Sequence, residues 1–339
     1  MLLVSGAMAN EDLYQRGKSY YYGEGVEQDF DKAFKAFSHA AKVGNLEAAN
    51  ALGIMHLNAQ GVAQDDEKGV AYLQQAAKQN HVKSQYDLGS MYYLGIGVDR
   101  NLPLAYQWIK KAAEQDHVDA QHNLAQFYEQ GTGVEQNLKL ANDWYEKAAN
   151  AGSAKAQYVL AQTYEARRDY TKAFAWYQQA DALGEPQAKA RLAYFYEQGL
   201  ATDKDPVKTF NYTLEAYNQG DQTLSYKLAN MYEYGLGTEI DYQRAHGLYR
   251  QALDAGELPA YLDMARHYHQ GHGVKQNPQR AYNFVIAAAR KGYQPAQLAV
   301  AKLYLQGLGV KASEGKAKYW LKKLKDPEAL ELLQQLEKR

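Results

Sequence analysis

The chain has 339 residues, with 38 Lys and Arg against 39 Asp and Glu, for a net charge of −1. Such balance gives no global basic field for nucleic acid or an anionic membrane surface, and no apolar stretch approaches the roughly 18 residues of a membrane span. There is no Cys, which excludes disulfides, thiol catalysis and thiolate metal sites without fixing the compartment. Tyr is heavily used, with 30 residues against 8 Phe and 4 Trp. That favours many half-buried, amphipathic positions over one thick apolar core.

The first nine residues, "MLLVSGAMA", are apolar and small, and Ala7-Met8-Ala9 reads as an A-x-A cleavage site before Asn10. A basic n-region and a longer apolar core are missing. Residues 1–9 are therefore expected to be a signal-peptide remnant or a disordered N-terminus. The setting that follows is periplasmic or secreted, with cytoplasmic as the alternative.

From residue 10 the chain repeats itself, and a period near 36 residues decides the architecture. Gly pairs recur at Gly23/Gly25, Gly95/Gly97, Gly131/Gly133, Gly235/Gly237, Gly271/Gly273 and Gly307/Gly309, while Gly61 and Gly199 keep one member each. A helix is predicted before each Gly-rich loop and another after it. The units are 10–45, 46–81, 82–117, 118–153, 154–185, 186–221, 222–257, 258–293 and 294–328, with "ALELLQQLEKR" (329–339) as a capping helix. First helices read Ala-Gln-x-x-Leu-Ala/Gly-x-x-Tyr, as in "AQHNLAQFYEQG" from Ala120. Second helices carry a small residue, such as Ala105 or Ala141, and three residues later a bulky one, which holds all four tryptophans: Trp108, Trp144, Trp176 and Trp320. That bulky slot is expected to be core. All seven prolines fall at helix starts, where first-turn N–H groups lack intrahelical partners. A Rossmann Gly-x-Gly follows a strand and opens a helix; here each follows a helix, so it is read as turn architecture. Repeat five (154–185) is irregular, because "ARRDYTK" after Glu165 replaces the Gly-rich loop. A tight turn with solvated Arg167 and Arg168 is expected there.

The "LG-x-MYYLGIGV" first helix and the "A-x-x-WYEKAA" second helix resemble the Sel-one-like repeat (SLR) family, a branch of the tetratricopeptide-like repeats. The resemblance implies an all-α, right-handed α-solenoid of nine helix pairs in one domain (10–328), with first helices lining a concave groove. It also implies an interaction scaffold rather than an enzyme.

Three first-helix slots, spaced four and three apart, share one helical stripe and are expected to be exposed. They bring Tyr86, Tyr93, Tyr158, Tyr194 and Tyr226 into an aromatic track, and Glu129, Glu165, Glu197 and Glu233 into an acidic row. This surface suits a basic peptide segment of a partner protein, or a glycan such as a peptidoglycan fragment; the bland alternative is packing tyrosines and a solvated face. No nucleic acid, membrane insertion or cofactor is expected. His267, His269 and His272 lack the helical spacing of a metal site, and His267 is expected to point inward. "SEGK" from Ser313 matches the S-x-x-K of penicillin-recognising enzymes, but the companion S-D-N and K-T-G elements are absent. Ser313 is instead expected to cap a helix. No catalytic or metal residue is assigned, and a hydrolase of the β-lactam-binding type is the remote alternative.

Overall fold

The fold is that of a computed structural model, which describes the backbone of residues 2–338 and the side chains of 11–338. Among the described residues there are nineteen α-helices and no strand. The chain forms two compact units, Met1–Gly184 and Glu185–Arg339.

The first unit holds five helix hairpins: α1 (Leu2–Tyr22) with α2 (Phe30–Lys42), α3 (Leu46–Leu57) with α4 (Asp66–Lys78), α5 (Val82–Leu94) with α6 (Leu102–Ala113), α7 (Val118–Gln130) with α8 (Leu138–Asn150), and α9 (Ala154–Ala166) with α10 (Tyr170–Ala182). The second holds α11 (Pro186–Gln198) with α12 (Pro206–Asn218), α13 (Ser225–Tyr234) with α14 (Tyr242–Asp254), α15 (Pro259–Gln270) with α16 (Pro278–Arg290), α17 (Gln294–Gln306) with α18 (Glu314–Leu321), and the final α19 (Pro327–Glu337). Within each unit every hairpin packs on the next, as a solenoid requires of repeats that cannot bury their apolar stripe alone. The backbone of 2–9 continues α1, while Met1 and the side chains of this expected signal remnant lie outside the described residues. The cap begins at Pro327, two residues before the expected start.

Local chemistry explains the helix ends. Each second helix from α2 to α18 opens on an Asp, Asn or Ser whose side chain accepts a backbone N–H, as Asn137 does from Leu140 (3.0 Å). All seven prolines lie in first turns. Where a loop has its first Gly, that residue closes the preceding helix in the left-handed region, as Gly131 does for α7.

The second Gly has a different job. A Cβ on Gly133 would stand 2.2 Å from the carbonyl oxygen of Leu102, the first residue of the preceding repeat's second helix. Gly61, Gly97, Gly237, Gly273 and Gly309 face the equivalent carbonyl or its neighbourhood in the same way. Gly25, in the first repeat, meets nothing within 4 Å. The recurrent Gly-x-Gly is thus a seat for the preceding repeat, since only a residue without Cβ allows that approach. Repeat six carries Ala201 at this position, with φ 57°, and repeat six opens the second unit.

Repeat five makes the tight turn expected of it. Arg168 takes φ 61°, Asp169 accepts the N–H of Lys172 (3.2 Å) to cap α10, and both arginines are exposed.

One core assignment is corrected. Trp108, Trp144 and Trp176 are only half-buried; Trp320 alone of the four is buried. The buried position is the next one along: Phe37, Leu73, Ile109, Tyr145, Tyr177, Thr213, Tyr249, Val285 and Leu321. It lies four residues, one full turn, after the small buried slot, whereas the tryptophans lie three after. That offset leaves the indole at the rim, where Lys147 sits 4.0 Å over Trp144 and Lys111 4.4 Å over Trp108.

Candidate partner-binding face

The candidate site is the stripe of first-helix side chains in each unit. Its acidic row is largely engaged inside the repeats. The Tyr145 hydroxyl donates to Glu129 (2.8 Å), that of Tyr177 to Glu165 (2.7 Å), and that of Tyr249 to Glu233 (2.5 Å). In each case the tyrosine occupies the buried second-helix position of the same repeat. Repeat six has Thr213 there, and its Glu197 turns to Lys227 of the following repeat instead (2.9 Å). The expected exposure holds for Glu129 and Glu197. It fails for Glu165, which is half-buried, and for Glu233, which is 3% exposed. The signal was present in the sequence: Glu occurs in this slot only where the partner position is Tyr or Thr, and Ile109, Val285 and Leu321 face Tyr93, His269 and Leu305.

Glu233 is the centre of a buried network. Arg266 of the next repeat binds it through both guanidinium nitrogens, one at 2.9 Å to Oε2. Arg266 also bonds Asp263, which accepts the Tyr226 hydroxyl (2.9 Å). Burial opposes the Glu233 charge, but Arg266 and Tyr249 outweigh it, so the carboxyl is held below the ordinary carboxylate range. Burial, followed by the carboxylate bonds, pushes the Tyr249 and Tyr226 phenols upward.

The aromatic track separates into two kinds of tyrosine. Tyr86 stacks on His117 (4.6 Å), Tyr158 packs on Tyr177 (5.5 Å) and Tyr226 on Tyr249 (5.7 Å), all partly buried. Tyr93 and Tyr194 are 37% and 38% exposed. The first three support the hairpins, and the last two are open to solvent.

Two depressions lie on these faces. In the first unit a cavity of about 370 Å³ is lined by Ser90, Tyr93, Leu94, Asn123, Gln126 and Gln130 above Gly89, Ile109 and Phe127. In the second, one of about 410 Å³ has Tyr226, Asn230, Met231 and Leu236 facing Tyr196, Pro206 and Thr209, with the Glu197–Lys227 pair among its lining residues.

His267 is fully buried, as expected, with His246 and His272 rings 5.5 and 5.8 Å away. His269 is exposed on another face. Among the described residues no group of three His, Asp or Glu is placed to hold a metal. Ser313 caps α18, accepting the Lys316 N–H (3.4 Å).

Within each unit, helix hairpins of this length packed on one another, most of them through a glycine seat, define a tetratricopeptide-like α-solenoid. The Sel1 repeat family model matches residues 11–45, 46–81, 82–117, 118–153, 154–184, 186–221, 225–257, 258–293 and 294–326, and the chain belongs to that family. It is similar to an SLR-fold protein of uropathogenic Escherichia coli strains, described as a protective antigen. The identity is 28%, over 96% of this chain and 83% of that one, at a TM-score of 0.64. It is also similar to a Sel1 repeat protein from Oxalobacter formigenes, with 27% identity over 89% and 90% of the two chains and a TM-score of 0.53. No curated protein matches the sequence. Repeats of this class generally mediate protein–protein interaction.

Proposed function

We propose that this chain is a non-enzymatic scaffold that holds a partner protein against the first-helix faces of its units. The observation that carries the reading is the division of labour on those faces. Framework side chains pair with one another, and so do the carboxylates Glu129 and Glu197, while Tyr93 and Leu94 in the first unit and Tyr194 in the second present exposed surface to a partner. Exposed tyrosine supplies large contact area at low entropic cost. The open faces lack the enclosed, convergent polar groups that catalysis needs.

For the setting, the small apolar segment around Ala7-Met8-Ala9 supports the bacterial envelope or exterior, and the similar Escherichia coli protein is described as a protective antigen. A cell-derived protein whose first residue is Asn10 supports export; one that retains the segment in a soluble cytoplasmic fraction removes it.

The test is capture from the source cell's envelope and culture medium, comparing wild type with Tyr93→Ser/Leu94→Ser and with Leu138→Ser on a second helix. A partner retained by Leu138→Ser and lost by the first-helix variant places it on the proposed face. The opposite pattern moves the binding surface to the second helices and sinks the assignment.

A further inference from the structure

The first unit's cavity has an unusual chemistry for a face expected to read charge. Its lining carries two hydroxyls, those of Ser90 and Tyr93, and three carboxamides but no ionised group. The nearby carboxylates are engaged: Glu129 by Tyr145 (2.8 Å), and Asp87 by the Asn50 amide (2.7 Å). The Gln126 side chain makes no hydrogen bond among the described residues. Asn123 makes one long contact to the Tyr86 hydroxyl (3.4 Å), and Gln130 accepts one from Thr132 (3.5 Å). Ser90 is turned to its own helix, donating to the Tyr86 carbonyl (3.0 Å).

A carboxamide offers one acceptor and two donors in a plane, the complement of a peptide group. Asn123, Gln126 and Gln130 are three and four residues apart on α7, so they stand in one line. Gln162, exposed, repeats the Gln126 position one repeat on. A helical ligand has consumed its main-chain groups internally, whereas an extended segment leaves N–H and C=O groups free along both edges. Tyr93 and Leu94, 37% and 56% exposed, flank the row and supply an apolar wall for one side chain.

We infer that the cavity between repeats three and four binds an extended segment of a partner protein through its main-chain amides, with Asn123, Gln126 and Gln130 as the reading groups. Recognition is then tolerant of side-chain sequence and insensitive to salt. This rests on the scaffold reading above and names the partner's chemistry.

The experiment pans a phage-displayed library of random peptides on the full-length protein and measures the selected peptides in solution. Gln126→Leu is expected to weaken binding about tenfold, the loss of one or two good hydrogen bonds, with the melting temperature unchanged. Gln126→Glu, which keeps the shape but loses the donors, is expected to weaken it too. Methylation of single backbone nitrogens in the peptide should abolish binding at alternate positions, while alanine replacement of most side chains is tolerated. Raising salt to about 0.5 M should change affinity less than twofold. Peptides that tolerate N-methylation but fail on loss of a Lys or Arg overturn the main-chain inference and leave the scaffold reading standing. A library that yields no peptide also overturns it. If an oligosaccharide array is bound in its place, both readings fall.

Discussion

The two units build the same hairpin and join it differently. In the first, Gln85, Gln121 and Gln157 are buried and donate to the carbonyls of Ala77, Ala113 and Ala149, the last turn of the preceding repeat (3.3, 3.4 and 3.1 Å). Those three latches are neutral, and between repeats two and three the Asn50 amide also donates to the Asp87 carboxylate (2.7 Å). In the second, two joints are ion pairs, Lys227–Glu197 and Arg266–Glu233, beside the Tyr226–Asp263 and Tyr217–Gln251 hydrogen bonds, and Gln297 repeats the amide latch, to Ala289 (3.2 Å). The shared part, the glycine seat and the small buried slot, sets the geometry. The joint chemistry is free to vary, and it sets how each unit responds to pH and to loss of one partner.

The sharpest way to break this comparison is Arg266→Ala. Glu233 would be left buried without its cation, so the second unit should lose about 3 kcal/mol. Hydrogen exchange should accelerate over α13–α16 and stay unchanged in the first unit; a uniform change would show that the two do not respond separately. A comparable loss is expected from the shared geometry. Gly133→Ala and Gly237→Ala should each cost roughly 3 kcal/mol through carbonyl clash and left-handed strain, against about 1 kcal/mol for Gly25→Ala, where only the strain applies. Equal melting curves for Gly25→Ala and Gly133→Ala would remove the seat.

A smaller contrast comes from deleting one hydroxyl. Tyr249→Phe takes a donor from a buried carboxylate and should cost about 1–2 kcal/mol, while Tyr145→Phe frees an exposed Glu129 to water and should cost about 0.5 kcal/mol. Urea denaturation of both variants checks the ratio.

The smallest expected effect is acid sensitivity. Burial lowers the His267 imidazole pKa, as do Arg266 and His272, while Glu233 at 3.4 Å and the His272 backbone oppose the shift. Burial, then His267, lowers His246. The unfolded chain therefore binds more protons below about pH 6.5, and stability present above that value is lost as pH falls towards the folded values. In the first unit, burial and then Lys155 lower His122. Protection factors, which allow for the slower intrinsic exchange at low pH, should thus fall more steeply in the second unit between pH 7 and 5.5, and His267→Phe should flatten that slope. An unaltered slope would assign it elsewhere.

The repeats were legible in the sequence because a solenoid is periodic. Each repeat meets the same kind of neighbour, so the slots of Gly133, Ala141 and Leu124 recur along the nine repeats, with the Gly kept in seven of them. The small slot, the proline positions, the turn at Asp169 and the inward His267 followed from that pattern alone. The period also located the first-helix stripe, but not which of its side chains were already taken. Within their own helix Glu165 and Glu233 look identical to exposed carboxylates, and the Tyr that marks them as engaged appears only when the two helices of each hairpin are compared. Arg266 occurs in its slot once, so no repetition marks its bond to Glu233, 33 residues away. The one-residue error at the tryptophan slot has a similar origin: residue size suggested core, and helix phase decided it. Periodicity determined the architecture of this protein, whereas pairings between helices decided which polar groups remain free to meet a partner.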